Sequence, residues 1–227
     1  MSYNDANRDY FNHQAASRRT PTRSALELAK RTGNAILKHY DFDDESTEVM
    51  DFACGSGLLS QHLAPHAKSV VGVDISRGMV DLYNQTARNQ GLLPDELRAV
   101  CVDILDAPGS QPQDPFNGQR FDVVTCASGY HHFESIEDIT KALVSYLKPG
   151  GTLIVVDLVQ HEDAHDLDDL FPDHDGAIVA HRGGFREETV VQAFQRAGLG
   201  GIVFCSVMNV KKKGHSLNLF LARGHTT

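Results

Sequence analysis

Residues 49–60 read Val49-Met50-Asp51-Phe52-Ala53-Cys54-Gly55-Ser56-Gly57-Leu58-Leu59-Ser60: an apolar run that meets an acid, then a Gly-x-Gly turn, then helical spacing. Glycines in such a turn permit positive φ and let a ligand approach backbone where a Cβ would collide. Strand, turn and helix in this order make a generic nucleotide turn. A dinucleotide fingerprint carries a third small residue three positions on, and Ser60 comes near to it, so an NAD enzyme stays among the readings. No Walker lysine follows Gly57, which removes a P-loop.

Outward from this turn, short β-rich runs alternate with helical patterns. The runs are 48–53, 69–75, 97–104, 121–128 and 151–159, with helical spacing over 76–90 and 135–147. Strands apolar on both faces and separated by helices predict a parallel sheet covered on both sides, an α/β doubly wound fold. After a further helix over 186–197 come "GIVFCSVMNV" and "SLNLFLAR", joined by the polar turn "KKKGH". A link this short requires antiparallel strands, so the mostly parallel seven-stranded sheet ends in an antiparallel C-terminal hairpin.

Composition sets the bounds. A chain of 227 residues, 41% hydrophobic, suits a single domain over 1–227 with a full core. A net charge of -9 argues against nucleic acid or anionic membrane as partner, since phosphate binding draws on clustered Lys and Arg. Cys54, Cys101, Cys126 and Cys205 form no C-x-x-C pair and lie in apolar segments, as expected of buried thiols in a reducing compartment. With no signal-like leader and no apolar run near the ~18 residues a membrane span needs, the expected location is the cytoplasm.

Two segments stand outside the alternation: 1–24, polar with "SRRTPTR" near its end, and 160–184, rich in Asp, His and Gly. Ligands of doubly wound sheets sit above the carboxyl ends of the strands, so both are candidate lids. Residues 161–165, "HEDAH", satisfy the letter of the zinc-peptidase pattern H-E-x-x-H. Their surroundings are acidic rather than an amphipathic helix, so the segment reads as solvated lid and no metal is expected from His161, His165 or His174. The lysines at 211–213 read as a solvated turn, and Arg18, Arg19 and Arg23 as a possible clamp on an anionic substrate.

The acids decide between cofactors. Asp51, Asp74 and Asp103 each fall at the carboxyl end of a successive strand, and three carboxylates around one crevice would repel a pyrophosphate. They suit S-adenosylmethionine (SAM), with its ammonium, sulfonium, two ribose hydroxyls and adenine amino group. Through "VMDFACGSG", "VVGVDIS", "CVDI", "FDVVTCASGYHHF" and "LKPGGTLIVVD", the chain resembles the class I SAM-dependent methyltransferases over roughly residues 47–224. It most resembles their small-molecule branch, with ubiquinone-type and natural-product enzymes.

The resemblance implies that Asp51 and the loop Ala53, Cys54, Gly55 and Gly57 hold the methionine end of SAM. It implies that Asp74 accepts both ribose hydroxyls, and that Asp103 takes the adenine amino group with the Ile104 backbone N–H at the ring edge. Ile75 and Met79 pack on adenine and ribose, and Ser128 completes the cofactor set. Ala53 departs from the family's usual glycine, which alters the turn without abolishing binding. Acceptor-side candidates are Tyr130, His131, His132 and Phe133 after the fourth strand, together with His181. "SGYH" replaces the Asn/Asp-Pro-Pro-Tyr/Phe tetrad of base and glutamine methyltransferases. The histidines read either as support for the loop beneath SAM or as a general base.

The leading expectation is therefore a SAM-dependent methyltransferase acting on a small organic molecule and releasing S-adenosylhomocysteine. Protein or RNA methylation, a SAM-binding protein without methyl transfer, and NAD-dependent oxidoreduction are the other readings. The acceptor atom and the oligomeric state are left open.

Overall fold

A computed structural model describes residues 2–17, 20–105, 115–160, 178–212 and 215–227. One sheet holds β1 (Glu48–Phe52), β2 (Ser69–Asp74), β3 (Leu97–Cys101), β4 (Phe121–Ala127), β5 (Leu147–Leu158), β6 (Gly200–Lys212) and β7 (His215–His225). Its order is β3-β2-β1-β4-β5-β7-β6. The first five strands run parallel, and β7 runs antiparallel to both β5 and β6. The doubly wound sheet and its terminal hairpin are as the sequence predicts.

Alternation along the strands separates two apolar layers. Met50, Phe52, Val73, Val124 and Val155 face one side, where they pack with residues of α5 (Ile136–Val144) and α6 (Glu187–Arg196). Val49, Val70, Val123 and Ile154 face the other, against α2 (Arg23–Leu37), α3 (Leu58–Leu63) and α4 (Arg77–Asn89). Every residue of β2 is buried, as expected of an inner strand covered on both faces. Ser76 and Ser135 cap α4 and α5 by accepting the backbone N–H of Met79 and Asp138.

Boundaries differ from expectation for local reasons. β3 stops at Cys101 rather than 104, so Asp103 stands two residues beyond the strand. β5 begins at Leu147 rather than 151, and its register against β4 shifts where Gly150 takes φ +76°. Residues 1–24 are less irregular than their polarity suggests. Ser2 and Asp5 form a capping box that starts α1 (Tyr3–Ala16), and Thr22 caps α2. Among the described residues no helix is long and apolar enough to cross a membrane.

The topology fixes where a ligand goes. From β1 the chain crosses through α3 to β2 on one side, while β4 pairs with β1 on the other. A crevice opens above the carboxyl ends of strands where the winding reverses in this way.

Candidate active site

A cavity of about 450 Å³ fills that crevice, and Ala53, Cys54, Gly55, Asp74, Ile75, Met79, Asp103, Ile104 and Ser128 all line it. Ala53 follows β1 and Ser128 follows β4, and both hold left-handed backbone, φ +55° and +54°. Such a conformation costs roughly 1–2 kcal/mol at a residue with a Cβ. Strain of this kind clusters where backbone must be aimed at a ligand. The turn therefore keeps its left-handed form with alanine in the glycine's place. At Gly55, φ +52°, a Cβ would project into open space.

Asp74 is the best-fixed polar group of the crevice. The Gly55 N–H donates to one carboxylate oxygen at 2.8 Å and the Ser76 N–H to the other at 2.9 Å. Burial raises its carboxyl above the ordinary range, opposed by these backbone donors. Each oxygen keeps a lone pair for one hydroxyl of a vicinal diol. Asp103 accepts the Leu105 N–H at 3.0 Å and, at 3.0 Å, the Asn4 side-chain amide from α1.

Ile75, Met79, Val102 and Phe133 add apolar wall, and no Lys or Arg occurs among the described lining residues. Two acids without a cation match the hydroxyls and amino group of SAM. They do not match a pyrophosphate, which needs donors and positive charge.

Two residues that the resemblance assigns to the cofactor stand off the cavity. Asp51, 2% exposed, lies beneath the turn and does not line the cavity. Its oxygens accept the hydroxyls of Ser60 at 2.5 Å and Thr125 at 3.0 Å. Burial pushes its carboxyl up to about 6 against those two hydrogen bonds. Ser60, which resembled the third small residue of a dinucleotide turn, is thus a partner of Asp51. Gly57 also stands off the cavity: at φ +86° it starts α3, and a Cβ there would meet the Tyr83 ring at 2.5 Å.

A second cavity, about 980 Å³, adjoins the first, and Phe11, Ala25, Leu28, Ser128 and His132 line both. His131, His181 and Arg182 belong to it, with Leu158, Val179, Leu217 and Leu219 forming an apolar wall. Residues Tyr130–His132 form one 3₁₀ turn, whose side chains diverge by about 120° per residue. Three sequence neighbours accordingly reach three places. Tyr130 points into the core, 0% exposed, its hydroxyl 3.0 Å from that of Thr140. Burial raises its phenol, and it is outside the described lining of both cavities. His131 turns to Asp157 at 2.9 Å, and His132 stands where the cavities join, its Nδ1 2.7 Å from the Ile178 carbonyl. His181 lines the second cavity; its Nε2 is buried without a hydrogen-bond partner among the described residues, and burial lowers its pKa. Phe133 lines the first cavity and packs 5.5 Å from Phe52.

Sequence reasoning missed α1 and Asp157. Asn4, Asn7, Phe11 and Gln14 recur at helical spacing and line the first cavity from one helix face. The Asn12 side-chain oxygen accepts from Ser76 Oγ at 2.8 Å and the Gly78 N–H at 3.0 Å, and the Asn7 amide donates to the Ile178 carbonyl at 3.1 Å. That spacing was the available signal. Asp157 ends the run "IVVD" one residue before the end of β5, near the same edge of the sheet as Asp74 at the end of β2.

Other singled-out residues lie elsewhere. Arg23 is exposed at the start of α2 and outside the described lining of both cavities, whereas Lys211 lines the second. His161, His165, His174, Arg18, Arg19 and Lys213 lie outside the described residues. Among the described residues no group of three His, Cys, Asp or Glu could hold a metal.

Comparison with known proteins agrees with this geometry. The family model described as "Methyltransferase domain" matches residues 49–151. An uncharacterized methyltransferase of Schizosaccharomyces pombe is 40% identical over 152 residues, 66% of this chain and 52% of the relative. A ubiquinone biosynthesis O-methyltransferase of Coxiella burnetii is 34% identical over 105 residues, 46% of this chain and 41% of the relative. The chain thus spans about half the length of these curated relatives. Geranyl diphosphate C-methyltransferase from Streptomyces coelicolor shares the fold with TM-score 0.72 at 14% identity, over 100% of this chain and 99% of that one. Magnesium protoporphyrin IX methyltransferase from Synechocystis does so with TM-score 0.67 at 17% identity, over 100% of both chains. Residues 49–151 of this chain are thus similar to the methyltransferase domain, and the seven-stranded sheet is the fold it shares with these solved methyltransferases.

Proposed function

We propose that the chain transfers the methyl group of SAM to a small organic molecule held in the second cavity. One observation carries this reading: the two cavities meet at Ser128 and His132, so a donor in one can face an acceptor in the other. When bound, SAM supplies an activated methyl group, and the protein's task is mainly alignment.

In this reading Asp74 accepts the ribose hydroxyls, and Asp103 with the Ile104 N–H takes the adenine edge. Ile75 and Met79 pack on adenine and ribose, and the 53–57 loop holds the methionine end. Asp51 acts from below by tying the turn to Ser60 and Thr125. We read 1–227 as one domain in which α1 is the cofactor-side lid, tied down by Asn4 and Asn12. The second candidate lid, 160–184, falls mostly outside the described residues. The net charge of -9 supports a small molecule over nucleic acid, and free thiols at all four cysteines support a cytoplasmic site.

A second reading is SAM binding without methyl transfer; that the fold itself also serves other chemistry is seen in the 4+2 cyclase SpnF, which shares it with TM-score 0.68 at 15% identity. Calorimetry with SAM, S-adenosylhomocysteine and NAD tests the cofactor. Binding of the first two at one site per chain and none of NAD is expected. NAD binding in place of SAM would overturn the assignment.

A further inference from the structure

The charged groups lining the two cavities are of opposite sign, and the contrast points to a class of acceptor, an inference that rests on the methyltransferase reading. Asp74 and Asp103 line the first cavity with no Lys or Arg among the described lining residues. Histidines apart, the charged groups lining the second are Arg31, Arg182 and Lys211 against a single acid, Glu27. This local excess of positive charge stands on a chain whose net charge is -9. Glu27 precedes Arg31 by one turn of α2, yet no ion pair joins the two. Arg31 is held by backbone instead: its Nη2 donates to the Asn209 carbonyl of β6 at 2.9 Å. Asn209 is itself fixed, its amide donating to Asn218 Oδ1 at 2.6 Å and its Oδ1 accepting from Ser216 Oγ at 2.7 Å. A guanidinium has five N–H donors, and this bond uses one. Lys211 stands two residues beyond Asn209, on the same face of β6. One cation thus reaches the second cavity from the helix and another from the hairpin.

Leu28, Leu158, Val179, Leu217 and Leu219 give the same cavity an apolar wall. Pockets that combine a mainly apolar lining with a few placed polar groups take ligands with an apolar body and a matching polar end. Here the placed groups are cations, whose hydrogen bonds to an anion are the strong kind and gain further beside apolar wall. We propose that the acceptor is an apolar small molecule bearing an oxyanion such as a carboxylate, which Arg31 and Lys211 anchor in the second cavity. Neither cation lines the first cavity, whereas Ser128 and His132 line both. The oxyanion is therefore held apart from the junction, and the methyl group goes to another atom of the same molecule. The methylated product keeps its negative charge.

The test uses the full chain saturated with S-adenosylhomocysteine and fluorescent probes of matching size: pyrenebutanoate, pyrenebutanol and pyrenebutylamine. Fluorescence titration should show the carboxylate binding about 30-fold more tightly than the alcohol, with the amine weakest. Arg31→Gln and Lys211→Gln each lower carboxylate affinity about 10-fold and leave alcohol affinity unchanged. Arg31→Lys, which keeps the charge but not the fork, loses about 3-fold. In a second arm the wild type is incubated with methyl-labelled SAM and the small-molecule fraction of a cell extract. The labelled product should be retained by an anion-exchange resin at neutral pH. Equal affinity for carboxylate and alcohol, no binding of the carboxylate, a carboxylate preference that survives both Gln substitutions, or a labelled product that passes through the resin overturns the proposal. Calorimetry with SAM separates the two readings: if SAM does not bind, or no product is labelled, the methyltransferase reading itself fails.

Discussion

The two adjoining cavities are built in opposite ways. At the sheet the first cavity is lined by residues that follow strands, Ala53 after β1, Ile75 after β2, Asp103 just beyond β3 and Ser128 after β4, with α1 and α2 along its other side. Its polar groups are fixed by local backbone, as when Gly55 and Ser76 hold Asp74. The second cavity draws on α2, the 178–182 segment and the β6–β7 hairpin, which meet only through tertiary packing. If the proposed function holds, the sheet presents the cofactor site and distant segments shape the side that selects the acceptor.

That contrast can be broken most sharply at Asp74. Asp74→Ala removes two hydrogen bonds to a charged group, each worth roughly 1.5–3 kcal/mol, so SAM affinity should fall about 1,000-fold in equilibrium dialysis. Unchanged affinity would mean that the ribose lies elsewhere.

Asp51 gives the next largest effect, on stability. Its folded pKa, about 6, exceeds the ordinary 3.8. Below both values Asp51 is protonated in the folded and unfolded chain alike. As pH rises from about 4 to 6 the unfolded chain ionises first, and the stability associated with the raised pKa is lost. Urea midpoints should therefore show the wild type losing on the order of 3 kcal/mol relative to Asp51→Asn across that window, with no further change above it. A constant difference from pH 4 to 7 would contradict a buried, neutral-preferring Asp51.

Smaller effects sharpen the picture of α1 and the 3₁₀ turn. Asn12→Ala removes the acceptor for Ser76 Oγ and the Gly78 N–H, and should weaken SAM binding by about 1 kcal/mol if α1 closes over the cofactor. No change in affinity would leave α1 outside the cofactor site. Tyr130→Phe should cost about 1 kcal/mol of folding stability with turnover unaffected. A large loss of turnover would return Tyr130 to the acceptor side.

Most of the first cavity's sheet-side lining was legible in the sequence because strand-end residues and tight turns are local, and an acid after an apolar run can be counted off. What the sequence does not reveal about Asp51 is that it sits inside β1, where Ser60 and Thr125 donate to it. The inward direction of Tyr130 was hidden because a run of three polar-tipped residues does not reveal which one a 3₁₀ turn sends into the core. Asp157 and His131 are 26 positions apart, and nothing in either segment announces the other. The face of α1 carrying Asn4, Asn7 and Phe11 was readable in principle, but the high polarity of residues 1–24 hid it behind the look of a loose terminus.

Methyl transfer from one cavity into the other is tested most directly by incubating the protein with methyl-labelled SAM and fractionated cell extract. Label in the small-molecule fraction, lost with Asp74→Ala, is the predicted result. Label confined to protein or RNA, or SAM bound with label passed to none of the fractions, would contradict it.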